Sequence, residues 1–157
     1  LAGVAHQGGQ ARLDVQVHVF QVQLPLEAAG LDLGADLATP GTDFAPDEMT
    51  LRIVSSQITR LENEIDEMNA VMPPLSSFVL PAGEPGAAHV HVARAVARRA
   101  ERQLVALGNE ETIQDAPRQY LNRLSDLMFV LARVLNRMHG GDDVYWKSER
   151  LATQGEG

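Results

Sequence analysis

The sequence predicts an all-α fold, and three observations support this prediction. Apolar residues recur at helical spacing over three long stretches, aromatic residues make up only 4% of the chain, and the middle of the chain is rich in alanine. With 157 residues, the chain is long enough to bury one hydrophobic core. A single helical domain is therefore expected.

The first predicted helix covers residues 46–71. Asp43 and Pro46 are expected to mark its start, and Pro73 with Pro74 is expected to end it. Its apolar residues follow one another at steps of three and four, which places them on one side of a helix: Leu51, Val54, Ile58, Leu61, Ile65 and Met68.

The next stretch, residues 72–86, contains four prolines and two glycines around a short apolar segment, Phe78–Leu80. A flexible linker is usually rich in serine and glycine and lacks such a segment. We therefore expect an ordered loop whose apolar residues pack against another part of the protein.

Two further helices are predicted, over residues 87–107 and 118–139. Gly108 is expected to end the former, and Gly140 with Gly141 the latter. The alanine-rich helix has a packing stripe of Ala93, Ala97, Ala100 and Leu104. The last helix has a longer apolar stripe: Leu121, Leu124, Met128, Leu131 and Leu135.

The first thirty residues allow two interpretations. Val15, Val17 and Val19 alternate as in a strand, whereas residues 24–37 are compatible with the beginning of a helix. The pattern does not decide between them.

The composition excludes several classes of function. A formal net charge of −8 argues against general binding of nucleic acid, which needs a cationic surface. The absence of cysteine excludes disulfides, thiolate metal sites and thiol nucleophiles. No apolar run approaches the ~20 residues of a membrane span, and no export signal is recognisable, so a cytoplasmic protein without membrane contact is expected.

The alanine-rich helix carries a local positive charge within this acidic chain. Arg94, Arg98 and Glu101 are spaced by four and three residues, so they share a face, and Arg102 lies one turn beyond Arg98. Guanidinium groups offer forked donors that match phosphate oxygens, and a nearby carboxylate can hold Mg²⁺ or orient an arginine. A solvated helix face with ordinary ion pairs remains the alternative interpretation.

The start of the last helix offers a second set of polar residues. Asn122 and Asp126 are four residues apart and can face a ligand. The alternative is that Asn122 caps the helix, while Asp126 pairs with Arg123 or Arg133. The sequence leaves the two open.

Two histidines precede the arginines. His89 and His91 are only two residues apart and cannot share a helix face, so we expect structural roles for both and no zinc pair.

Four segments resemble the PduO-type ATP:cob(I)alamin adenosyltransferases. They are LDLGADLATP at residues 31–40, SFVLPAG at 77–83, HVARAVARRAER at 91–102 and YLNRLSDLMFVLAR at 120–133. The resemblance covers residues 31–146, which we interpret as the adenosyltransferase bundle. Residues 1–30 match the family poorly, and residues 147–157 are expected to form a flexible tail.

This resemblance implies a fold, an assembly and a reaction. The family fold is a five-helix up-and-down bundle of the ferritin-like type, which forms a homotrimer with ligands in the clefts between subunits. The implied enzyme transfers the 5′-deoxyadenosyl group of ATP, with Mg²⁺, to cob(I)alamin and releases triphosphate. A cobalamin reductase and an adenosylcobalamin-dependent enzyme are the implied functional partners.

The resemblance also assigns residues to the nucleotide. Arg98, as a catalytic residue, and Glu101 would contact the triphosphate and its Mg²⁺, while Asn122 would help to hold ATP. Arg94 would bind ATP and lie at the subunit interface.

Other roles follow from the same comparison of motifs. Phe78 would be catalytic, because the family phenylalanine packs against the corrin ring and displaces the lower ligand of cobalt, which eases reduction to Co(I). Arg123 and Asp126 would have interface or structural roles.

Two hypotheses from other functional classes remain open. The family's glycine-rich phosphate-binding segment has no counterpart in residues 1–30. The chain could therefore be a corrinoid-binding bundle that has lost its ATP chemistry, or a helical oligomerisation module in which the arginines only form an interface.

Overall fold

The computed structural model describes residues 29–39, 41–45 and 49–147. Their fold is all-α, as predicted. The four helices of this part are α1 (residues 29–38), α2 (Ser55–Ala70), α3 (Pro85–Leu107) and α4 (Ala116–Met138). The predicted fifth helix and the trimer stay predictions, and the alternatives for Val15, Val17 and Val19 lie outside the described residues.

Helix α4 is the centre of the domain, because both α2 and α3 pack against it. Its side towards α2 builds the main hydrophobic core, whose buried members are Ala29, Ile53, Ile58, Leu61, Met68, Tyr120, Leu127, Val130 and Val134. The stripe predicted for this helix was shifted: of its five residues only Leu121 is buried, and the others are half-buried. The shift arises because a helix with two packed sides has no single apolar stripe.

The start predicted for α2 was wrong. The helix begins at Ser55, and the six residues before it are not helical. The Ile53 N–H donates to the buried Asp36 carboxylate at 2.8 Å, and the Val54 N–H donates to the Gln57 side chain at 2.9 Å. Leu51, predicted to pack inward, is 51% exposed. In place of the predicted first turns of α2, the chain is therefore non-helical and hydrogen-bonds to Asp36, a residue distant in the sequence.

That partner belongs to a buried ion pair that fastens α1 to the segment before α2. Arg52 Nη1 lies 2.9 Å from Asp36 Oδ1, and both side chains are 3% exposed. The Arg52 guanidinium also donates to the Asp36, Thr39 and Asp43 carbonyl oxygens and stacks over Phe44. These contacts use both terminal nitrogens of the guanidinium and help to offset the cost of burying the charge pair, while the buried Arg52 Nε has no hydrogen-bond partner among the described residues.

The boundaries of α3 and α4 agree with the sequence prediction to within two residues. Leu107 ends α3 directly before Gly108. The Glu84 side chain caps the start of α3, and hydrogen bonds from the Gly86 and Ala87 N–H groups lower the pKa of this carboxyl. None of the described helices has the length and apolar character required to cross a bilayer.

The end of the proline-rich loop is clamped to α4 by Asn136, which is buried. Its Oδ1 accepts from the Glu84 N–H at 2.9 Å, and its Nδ2 donates to the Ala82 carbonyl at 3.3 Å. Gly83 lies between these two contacts with φ of 125°, and a Cβ there would overlap the Asn136 amide. The clamp thus requires glycine at this position.

We expect Gly83→Ala to destabilise the fold by about 1–3 kcal/mol, through backbone strain and overlap with Asn136. Gly41→Ala is a matched control, since φ there is 120° but no described atom lies within 4 Å of the added Cβ. Urea unfolding of both variants separates the two costs. Equal losses of unfolding free energy would show that overlap with Asn136 adds nothing to the backbone strain.

Candidate functional site

The interface between α3 and α4 is unusually polar. Small buried residues, among them Ala97, Ser125 and Ala132, let the two helices approach closely. Beside them lie four polar or charged residues that are also buried: His91, Glu101, Arg133 and Asn136. Buried polar groups persist when they are paired, so this interface differs in kind from the α2–α4 core.

Three of the residues expected to bind ATP meet in this interface. Glu101 is 9% exposed, and its two carboxylate oxygens hold different partners. Arg98 Nη1 donates to Oε2 at 2.5 Å, and Asn122 Nδ2 donates to Oε1 at 3.0 Å. We call Arg98, Glu101 and Asn122 the Glu101 cluster.

The cluster presents a fixed cation to solvent. The Arg98 side chain is 42% exposed, whereas that of Glu101 is 12% exposed. Glu101 thus orients the guanidinium from the buried side, and the N–H groups of Arg98 that face solvent stay accessible to an anion. Asp115 is the N-cap residue of α4, and Asn122 lies about two turns into the helix, so it does not cap it.

Arg94 lies one turn before Arg98 but outside the cluster. Its guanidinium carbon sits 5.2 Å from the centre of the Phe129 ring, in a cation–π contact. Its Nε is buried and has no hydrogen-bond partner among the described residues. Its predicted roles in ATP binding and at a subunit interface stay predictions.

Arg123 and Asp126 form a separate group on the side of α2. Arg123 Nη1 donates to Asp126 Oδ2 at 3.0 Å, and its Nε lies 3.3 Å from a Glu62 carboxylate oxygen. Of the two partners considered for Asp126, the structure selects Arg123. The pair connects α4 with α2, and the partly exposed side chains suit a modest structural role.

His91 is buried at the same interface, one turn before Arg94. Burial lowers the pKa of His91, the Arg94 charge lowers it further, and the Asp143 charge acts in the opposite direction. Its Nε2 has no hydrogen-bond partner within the described part of the chain. The imidazole therefore favours the neutral state in the folded protein.

This burial predicts a pH dependence of stability. The pKa of His91 is lower in the folded protein than in the unfolded protein. The stability that neutral His91 contributes to the free energy of unfolding is therefore complete above about pH 6.5 and declines as the pH falls below that value. His91→Gln is expected to flatten the loss of unfolding free energy between pH 7.5 and 5.5, measured by urea unfolding. His89→Gln, at the exposed histidine two residues earlier, is the control and should leave the slope unchanged. Identical slopes in wild type and His91→Gln would contradict this account.

The proline-rich loop is ordered, but its aromatic residue does not pack inward as expected. Phe78 is 80% exposed. The loop is fastened by its backbone to the segment after α4 through an antiparallel bridge between Val79 and Tyr145. The Leu80 N–H donates to the Val144 carbonyl at 2.7 Å, and the Trp146 N–H to the Phe78 carbonyl at 2.8 Å. A rigid backbone therefore presents an exposed phenylalanine.

Arg133, which sequence reasoning considered only as a partner of Asp126, fixes this arrangement from inside. Its Nη2 donates to the Pro73 carbonyl at 2.7 Å, and its guanidinium pairs with Asp143 at 3.0 Å. Tyr145 also donates to Asp143, at 3.3 Å. One buried arginine thus joins α4, the start of the loop and the C-terminal segment. A charged residue within the apolar run of α4 was the signal that could have revealed it.

Two further features of the described residues concern metal binding and a cavity. No group of three or more histidine, cysteine, aspartate or glutamate side chains in this part of the chain is arranged to hold a metal ion. A cavity of about 360 Å³ lies between α1 and the α3–α4 connection, lined by residues that include Phe44, Arg52 and Gln114. None of the predicted site residues lines this cavity.

The family model described as cobalamin adenosyltransferase matches residues 5–135. The chain belongs to the cobalamin adenosyltransferase family. The match includes most of the N-terminal segment, residues 1–30, that was predicted to resemble the family poorly.

Individual members of the family give the same result. A cobalamin adenosyltransferase of Cupriavidus metallidurans is 47% identical over 137 residues, which are 87% of this chain and 68% of the relative. A corrinoid adenosyltransferase of Mycobacterium leprae is 48% identical over 120 residues, 74% of this chain and 61% of the relative. The chain thus spans about two thirds of these family members.

Solved structures of the family share the helical fold. A variant of the PduO-type ATP:corrinoid adenosyltransferase from Lactobacillus reuteri, complexed with cobalamin and ATP, is similar with a TM-score of 0.71. It is 34% identical, and the similarity covers 90% of this chain and 76% of that one. A second variant of the same enzyme, complexed with ATP, gives a TM-score of 0.71 at 33% identity.

Proposed function

We propose that this protein transfers the 5′-deoxyadenosyl group of ATP to cob(I)alamin, forming adenosylcobalamin and triphosphate. The observation that carries the proposal is the Glu101 cluster, in which an accessible guanidinium is held in place by a buried carboxylate. Membership of the family and similarity to structures that contain ATP and cobalamin support it.

The reaction needs position and charge rather than a protein nucleophile. The Co(I) electron pair attacks C5′ of ATP, a cobalt–carbon bond forms, and the C5′–O bond breaks with its electrons leaving on triphosphate. Arg98 would bind the departing phosphate oxygens, while Glu101 and Asn122 hold the guanidinium and the nucleotide in register. Arg94 would add a second cation one turn away.

The role of Glu101 as a Mg²⁺ ligand stays a prediction. Both of its oxygens already accept hydrogen bonds, from Arg98 and Asn122, which favours the orienting role. Mg²⁺ is commonly held by one or two carboxylates together with substrate phosphates and water. Each oxygen keeps a second lone pair, so coordination of Mg²⁺ by Glu101 would not require the loss of either hydrogen bond.

Phe78 would act on the other substrate. Its exposure leaves the ring free to pack against the lower face of a corrin and to displace the axial ligand, which eases reduction to Co(I). The rigid backbone of the loop limits the entropy lost when the ring is immobilised.

A homotrimer with sites between subunits is part of the proposal. Val92 and Val96 are 64% and 49% exposed and lie a turn apart on the side of α3 that faces away from α4. A neighbouring protomer on this side would cover these two valines, whereas the Glu101 cluster lies on the opposite side of α3, towards α4. A cobalamin reductase, an adenosylcobalamin-dependent enzyme and a cytoplasmic location remain predictions of the same kind.

The proposal is tested by incubating the protein with Mg·ATP and chemically reduced cobalamin and following the absorbance spectrum. We expect a light-sensitive product with the spectrum of adenosylcobalamin, together with one triphosphate per cobalamin. Binding of cobalamin without conversion would replace the proposal with the corrinoid carrier. Binding of neither substrate would favour the oligomerisation module.

A further inference from the structure

Helix α4 is joined to α3 by the side-chain amides of two asparagines. Asn122 Nδ2 donates to Glu101 Oε1 at 3.0 Å, in the second half of α3. Asn136 binds the backbone on both sides of Gly83, where α3 begins. The two asparagines are separated along α4 by about four helical turns, or ~21 Å, so both amides face α3. They fasten α3 to α4 at two separate points.

The packing between these two points determines the helix register only weakly. Small buried residues line the interface, among them Ala97, Ser125 and Ala132. Small side chains form shallow ridges, so they fix the position of one helix along another less firmly than large ones. A buried amide specifies the register of paired helices, because a shift leaves its polar atoms without partners.

The contacts of Asn136 require an amide. The residue is 2% exposed, its Oδ1 accepts from the Glu84 N–H at 2.9 Å, and its Nδ2 donates to the Ala82 carbonyl at 3.3 Å. An ionised carboxylate could only accept, and an apolar side chain of the same shape could do neither. Because Glu84 is the N-cap residue of α3, Asn136 holds the first turn of that helix.

We propose that Asn136 is a positioning residue of the adenosyl transfer. By fixing the start of α3 on α4, it sets the distance between Phe78, which precedes α3, and the Glu101 cluster. This inference rests on the proposed function. Phe78 is held by the backbone bridge to the C-terminal segment, and Arg98 is held by Glu101. Each half of the site thus keeps its own geometry without Asn136, which aligns the two halves for attack on C5′.

The test uses Asn136→Leu, which keeps the branched shape of the side chain and removes both hydrogen bonds. We expect kcat to fall by about ten- to a hundredfold, because a shift of ~1 Å misaligns C5′ and cobalt. The KM for ATP and the KM for cobalamin should each stay within about twofold of the wild type. Gly83→Ala disturbs the same contact from the loop and should give the same result. An unchanged kcat in Asn136→Leu, or a raised KM at constant kcat, would overturn the inference.

Two control variants separate alignment from stability. Gly41→Ala strains a similar backbone conformation, with φ of 120°, and no described atom lies within 4 Å of the added Cβ. Ile58→Ala removes a buried side chain from the α2–α4 core. Both should keep the wild-type kcat under conditions in which urea unfolding shows that every variant is folded. A loss of kcat in Ile58→Ala equal to that in Asn136→Leu would assign the effect to stability and overturn the inference.

A distance measurement reads the register without turnover. The chain has no cysteine, so His89→Cys and Arg137→Cys, at exposed positions of α3 and α4, accept spin labels selectively. Dilution with unlabelled protein restricts the signal to pairs within one chain. We expect a shifted or broader distance distribution after Asn136→Leu, and an identical one would overturn the inference. If the wild type does not convert cobalamin, the proposed function fails, and a changed distance would still support the role of Asn136 in the register.

Discussion

Replacing Arg98 by alanine is expected to lower the rate of adenosylcobalamin formation by about 10²- to 10³-fold, the usual cost of losing one preorganised charge-stabilising donor. The guanidinium is the accessible cation of the Glu101 cluster, and charge accumulates on the triphosphate as the C5′–O bond breaks. The measurement is the initial rate at saturating Mg·ATP and cob(I)alamin, followed by absorbance.

The structure provides a matched control for this variant. Arg118 also pairs with a carboxylate three residues away, Asp115, and its side chain is 46% exposed. Arg118→Ala removes the same charge and the same type of pair, and is expected to retain wild-type turnover. Arg98→Lys should recover only part of the rate, because an ammonium lacks the forked donors. Full activity of Arg98→Ala would remove Arg98 from the mechanism.

Phe78→Ala is expected to reduce turnover by about ten- to a hundredfold, which corresponds to losing the ~1.5–3 kcal/mol that burying a phenylalanine ring against the corrin would provide. Stability should change by less than about 0.5 kcal/mol, since the ring is 80% exposed in the protein alone. Initial rates and urea unfolding measure the two effects separately.

Leu75→Ala serves as the control for Phe78. Leu75 belongs to the same loop and is 49% exposed, but it precedes the part of the loop that is bridged to the C-terminal segment. The expected pattern is normal turnover in Leu75→Ala and normal stability in both variants. A Phe78→Ala protein that is fully active, or that is inactive because it unfolds, would contradict the assigned role.

The local signals of the sequence were sufficient for α3 and α4. Glycine, proline and capping residues mark their ends, and the periodic pattern between them is long. The start of α2 could not be predicted in this way, because it depends on Asp36, which binds Arg52 and the Ile53 N–H from α1. A competing long-range hydrogen bond leaves no local pattern.

The candidate site, like the fold, could be predicted from local signals only in part. The spacing of Arg98 and Glu101 predicts a shared helix face, and the family resemblance adds Asn122; the structure brings all three together. The bridge between the loop and the C-terminal segment could not be foreseen, because the pairing of residues 78–80 with 144–146 depends on how α4 returns the chain to the loop. Trp146 was predicted only as the last residue before a flexible tail, and its backbone hydrogen bond to Phe78 had no signal in the sequence.

The central claim is that Arg98, oriented by Glu101, binds the triphosphate of ATP. Calorimetric titration of Mg·ATP into wild type, Arg98→Ala and Arg118→Ala tests it most directly, with inorganic triphosphate as competitor. The account predicts saturable binding by the wild type and Arg118→Ala, displacement by triphosphate, and affinity at least about tenfold weaker in Arg98→Ala. Equal affinities in all three proteins would contradict it.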